Sequence, residues 1–205
     1  MPTALFILLF ALALALAYAF WQSRRRLELE RERVIRNFVF PMSVMDQFRK
    51  DHPFVDVKGA HLVARALRQF FLIHGRSRSQ LVSMPSKAAD ALWHAFILDT
   101  KAYSMFCRQA FGAYLHHIPE QANATSEELQ SASWTTWRLA CLEENINPSR
   151  PSRIPLLYAI DSKVGFPGAV VCDPKAFRPP SGSGGCSGGG GGSSDGDGGG
   201  GCGGE

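Results

Sequence analysis

SKAADALWHAFILDTKAYSMFCRQAF, residues 86–111, is the stretch that decides the fold. Ala89, Leu92, Trp93, Phe96, Ile97, Thr100, Tyr103, Phe106, Cys107, Ala110 and Phe111 form one wide apolar stripe at helical spacing. That period is the signature of one helix with a wide buried face. Ser86 follows Pro85 and can accept a hydrogen bond from the first turn as N-cap. Gly112 is a natural stop. The spacing therefore predicts a single long helix over 86–111.

The neighbours read the same way. In 59–74, Leu62, Val63, Ala66, Leu67, Phe70 and Phe71 alternate with Arg65, Arg68 and Gln69, and Gly75 follows. This predicts a second amphipathic helix. Thr125 with Glu128 forms a capping-box pattern, which opens a third helix ending near Glu144. Pro41 and His52-Pro53 punctuate the chain before them. Leu156 to Ile160 and Gly168 to Val171 read as short extended pieces lying against helices rather than as a sheet. The expected fold class is all-α.

Composition places this helical domain between two unlike ends. Residues 3–21 carry no charge, and Arg24, Arg25 and Arg26 follow. A helix of that length is about 28 Å long, close to the hydrocarbon thickness of a bilayer. A cleavable signal peptide is the competing reading, with Ala17-Tyr18-Ala19 as a small-x-small site. The positive charge follows the apolar core instead of preceding it, which favours a retained anchor. Positive charge on the cytosolic side then puts the N-terminus outside and the remaining chain in the cytoplasm. A bacterial inner membrane is the expected location.

The expected organisation is a transmembrane anchor at 3–22, a charged juxtamembrane helix at 23–37 and a helical domain at 38–148. A Pro-rich extended segment at 149–180 packs on that domain, and 181–205 is a disordered tail. Most of the chain's 20 glycines fall in that tail, which cannot bury enough apolar surface to offset its ordering entropy.

The formal net charge is +4, and much of the positive surplus lies in 24–36, where attraction to anionic lipid accounts for it. The bases are otherwise dispersed and no RNA-binding motif accompanies them, which argues against nucleic acid as a partner. The five cysteines form no CxxC pair, so neither a zinc ribbon nor a thioredoxin-type site is indicated. There is no GxSxG, P-loop, GxGxxG or HExxH.

The chemistry-bearing residues cluster in and after the deciding stretch. Asp90 and His94 are four apart and share a helix face, so the carboxylate can fix the imidazole's tautomer. His116 and His117 lie beyond the helix end, where the chain can fold back. A zinc-type site from Asp90, His94 and His116 or His117 is geometrically allowed. His94 beside Trp93 on an apolar stripe reads first as a buried, hydrogen-bonded core histidine, with metal ligand and catalytic base as the alternatives. Cys107 points to a different side of one straight helix and reads as a small buried hydrophobe. Trp93, Phe96, Tyr103 and Phe106 read as core.

Asp90-x-x-Trp93-His94-x-Phe96-Ile97-Leu98-x-Thr100-x-x-Tyr103-x-x-Phe106-Cys107, with His116-His117-x-Pro119 after it, resembles the glycine-rich domain-containing protein-like family. Thr136 to Cys141 and Ile154 to Asp161 are similar to its short, membrane-anchored bacterial members. The resemblance covers about 38–161. It implies a helical fold and no established reaction. Plant-type members often have His at the position of Phe96, so Phe96 subtracts an imidazole from the metal case.

Two functional expectations follow. The first is a membrane-tethered helical module that binds an unidentified protein partner. The second is a metal-binding or hydrolytic site on Asp90 and His94 with His116 or His117.

Overall fold

The computed structural model describes residues 2–77, 80–117, 125–169, 172–173 and 177, with side chains from residue 9 onward. Among them are seven helices and no strand: α1 (Pro2–Asn37), α2 (Met42–Asp51), α3 (Val57–Arg76), α4 (Lys87–Leu98), α5 (Thr100–Ala110), α6 (Ser126–Glu143) and α7 (Leu156–Val164). The fold is all-α.

The central element is α3, on which α1, α2, α4, α6 and α7 all pack. Val63, Ala66, Leu67 and Phe71 on it are fully buried. Its start is fixed by Asp56, whose carboxylate accepts from Gly59 N at 2.6 Å. A Cβ at Gly59 would lie 2.9 Å from that carboxylate oxygen, 3.1 Å from Val55 and 3.3 Å from Val164. Glycine here lets the cap form and lets α7 approach. Phe71 gathers Trp93 and Phe106 at ring distances of 5.7 and 5.0 Å, so α4 and α5 share one aromatic core with α3. Phe38 and Phe40, past the end of α1, close over Phe96 at 5.3 and 5.2 Å.

Three expectations need correction. The stretch 86–111 is two helices, broken at Asp99, whose φ of −80° and ψ of 71° leave the helical region. The Asp99 carboxylate instead accepts from Ala102 N at 3.2 Å and starts α5. A short carboxylate that can bond nearby backbone amides competes with helix propagation. The period reads through the break because both halves bury their stripe in the same core.

Residues 156–160, expected to be extended, form most of α7. Pro155 offers no side-chain cap. The first amides are satisfied from a distance: Leu156 N donates to Glu144 Oε1 at 2.5 Å and Leu157 N donates to Gln69 Oε1 at 2.9 Å. Finally, 42–51, read only as punctuated, is the helix α2, which buries Val44, Met45 and Phe48.

The expected segments 3–22 and 23–37 form one continuous helix, α1. Among the described residues no helix is long and apolar enough to cross a membrane. The transmembrane reading thus gains no support from the fold. The glycine-rich tail at 181–205 and the expected extended piece at 170–171 lie outside the described residues.

The C-terminal end of α1 belongs to the domain. Ile35 is buried. Arg76 joins Glu32 at 2.6 Å and Glu143 at 2.5 Å, and Arg36 pairs with Glu143 as well. The hydrogen bond from Arg76 holds the Glu32 carboxyl below its ordinary value. α1, α3 and α6 are thereby tied at one end.

Candidate metal centre

The site begins at the N-terminus of α4. Ser86 Oγ accepts from Ala89 N at 3.0 Å and donates to Asp161 Oδ1 at 2.6 Å. Asp161, buried on α7, also accepts from Lys87 N at 2.8 Å and Ala88 N at 3.1 Å. Three first-turn amides that an isolated helix would leave unpaired are thus satisfied by one serine and one carboxylate. The negative charge also sits at the positive end of the helix dipole. This clamp sets the register of α4, and with it Asp90 and His94.

The partner segment is fixed by an aromatic relay. Trp93 Nε1 donates to Tyr103 Oη at 3.1 Å, and Tyr103 Oη donates to Leu115 O at 2.6 Å. Burial pushes the Tyr103 phenol far above its ordinary range, so it stays a donor. The chain after α5 is held back against α4 at Leu115, two residues before His117. The Trp93 ring then supports His117 edge-on, with centroids 4.5 Å apart.

Asp90, His94 and His117 meet there. His117 Nε2 lies 2.8 Å from Asp90 Oδ1. His94 Nδ1 lies 3.0 Å from the Asp90 carbonyl and 3.3 Å from Oδ2. The two imidazole rings are 4.4 Å apart, and one ligand-type atom from each of the three residues falls within 4.8 Å of the others. A carbonyl oxygen only accepts, so His94 Nδ1 carries a proton and its Nε2 lone pair is free in the neutral ring. Tetrahedral ligands on an ion at about 2.1 Å sit about 3.4 Å apart. The group is thus close to that spacing, and side-chain rotation about χ is what would adjust it around an ion.

Of the sequence-derived candidates, the fold brings Asp90, His94 and His117 together and leaves His116 out. His116 is exposed and faces Tyr114 at 4.9 Å between ring centroids. Residues 114–117 are not helical, and among the described residues His116 is no part of the cluster. Cys107 is fully buried in the core and is no part of the group. His94 is exposed rather than a core residue. Tyr103 and Trp93, read from sequence as core alone, also position the site. Their polar tips within an apolar stripe were the available signal, since a buried Tyr or Trp finds a hydrogen-bond partner.

A family model described as UCP032817-like matches residues 30–180. The chain belongs to the UCP032817-like family. This replaces the resemblance to the glycine-rich domain-containing protein-like family. The matched range runs from the domain end of α1 through α7 and contains Asp90, His94 and His117. It excludes the apolar run at 3–21 and the tail at 181–205. No curated protein matches the chain, and no solved structure does.

Proposed function

We propose that this member of the UCP032817-like family is a membrane-tethered helical module that holds a divalent transition metal, zinc first, at Asp90, His94 and His117. One observation carries the metal reading: two imidazoles and a carboxylate from two separate chain segments converge within 4.8 Å. Nitrogen and oxygen donors of this kind suit zinc. Three protein ligands at a partly exposed site leave a fourth position open, which is the arrangement of catalytic rather than structural zinc. A bound water there would be acidified, and hydrolysis is the reaction class such a centre supports.

The tether rests on the charge-free run at 3–21 and the arginines after it. Its orientation puts the domain in the cytoplasm. A protein partner belongs to the same proposal. Val39, Met42 and Leu98 are exposed at 82%, 75% and 79%, and they flank in sequence the packed Phe40–Phe96 pair. The reading is tested by adding zinc to the metal-stripped full-length protein. A rise in Tm that EDTA reverses is expected. A Tm indifferent to zinc, nickel and cobalt contradicts it.

A further inference from the structure

A cleft of about 790 Å³ lies between α3, α7 and the end of α6, and its lining includes none of Asp90, His94 and His117. Arg65, Arg68 and Lys163 line it, together with the acids Glu143 and Glu144. Both acids are already engaged. Glu143 takes Arg36 and Arg76. Glu144 takes Gln69, Arg153 and the amide of Leu156.

Among the described residues, none of the ion pairs includes Arg65, Arg68 or Lys163. Arg68 is half-buried, and its hydrogen bond goes to a neutral oxygen, Phe38 O at 3.0 Å. Burial first, and the charge of Arg65 second, pull its guanidinium below the ordinary arginine range. A half-buried arginine pressed by another and given no carboxylate is costly unless an anion joins it. The floor of the cleft is apolar, from Leu72, Ile154, Leu156 and Ala159.

We infer that this cleft binds a phosphorylated ligand, with its phosphate on Arg65, Arg68 and Lys163 and its carbon skeleton on the apolar floor. A phosphate monoester carries close to two negative charges near neutral pH and accepts bidentate bonds from arginine. Three cations lining one cleft exceed what one carboxylate neutralises. The phosphate belongs either to a soluble molecule or to a lipid headgroup. The inference is independent of the metal centre.

The test uses full-length protein with EDTA present, so that no metal at Asp90, His94 and His117 acts as the anion receptor. Pyrophosphate binding is followed by calorimetry. Thermal unfolding is followed in phosphatidylcholine vesicles with and without phosphatidic acid. Wild type is compared with the double variant Arg65→Gln/Lys163→Gln, whose side chains make no ion pair that folding depends on. A single Lys163→Gln variant serves if the double variant fails to fold, and Lys101→Gln on exposed α5 surface is the control.

Pyrophosphate binding that weakens at least about tenfold in the variant and not in the control supports a soluble ligand. Stabilisation by phosphatidic acid alone, lost in the variant and kept in the control, supports a headgroup. Neither response in wild type, or equal responses in wild type and variant, overturns the inference.

Discussion

Asp161 illustrates how one side chain can carry a local structure from far away in the chain. It is buried and accepts three hydrogen bonds from the start of α4, more than seventy residues upstream. Asp161→Ala strands a buried amide, a partly buried one and a buried hydroxyl. Leaving such donors unpaired costs about 1–3 kcal/mol each before relaxation, so a loss of about 3 kcal/mol is expected. Asp161→Asn, which retains an acceptor, should lose clearly less. Urea denaturation of the two variants checks the order.

His74 sets a pH dependence. Burial holds its imidazole below the ordinary value of 6.5, with Phe111 packed edge-on at 5.4 Å. The folded state therefore refuses a proton that the unfolded state accepts. Its contribution is intact above pH 6.5 and is lost as pH falls through that value toward the folded one. His74→Phe keeps a ring and cannot titrate. Between pH 7.5 and 5.5 its Tm should fall less than that of wild type, and equal falls would remove His74 as a cause. At this scale the candidate site was partly legible. The i, i+4 spacing put Asp90 and His94 on one face, but choosing His117 over His116 needs the direction of a non-helical segment, which no local pattern records.

Among the elements, periodicity exposed α3 and the stripe of α4 and α5, and the capping box marked the start of α6. That box is present, with Thr125 Oγ1 accepting from Glu128 N and Glu128 reaching back to Thr125 N. What stayed hidden had non-local causes. α7 starts on amides satisfied by Glu144 and Gln69, so its proline-rich neighbourhood reads locally as extended. The break at Asp99 is invisible to a period that both flanking helices share.

The aromatic relay joins these elements to the site. Tyr103→Phe removes the hydroxyl between Trp93 and Leu115 and leaves a buried N–H and a carbonyl unpaired. A loss of about 1–3 kcal/mol is expected. If the relay positions His117, zinc affinity falls too, although Tyr103 touches no ligand-type atom of the cluster. Titration with a chromogenic chelator separates the two effects. Lower stability with unchanged zinc affinity would make the relay structural only.

For the whole molecule, the domain proper begins in the last turns of α1. Ile35, Glu32 and Arg36 bind that end to α3 and α6, while Leu9, Phe10, Leu12, Leu14, Leu16 and Phe20 are exposed along the first part of the helix. Removal of residues 2–22 should leave the Tm of the domain unchanged and release the protein from membranes. Alkaline extraction of membrane fractions tests the second half. Retention of the truncated chain in the pellet would argue against the tether.

The central claim is that Asp90, His94 and His117 form one metal site. Its most direct test is the metal content of purified full-length protein, measured by elemental analysis for wild type, His94→Ala, His117→Ala and His116→Ala. The account predicts one equivalent of a transition metal in wild type and in His116→Ala, with loss in the other two while all remain folded. Metal absent from every protein after zinc loading, or kept undiminished in His94→Ala and His117→Ala, would contradict it.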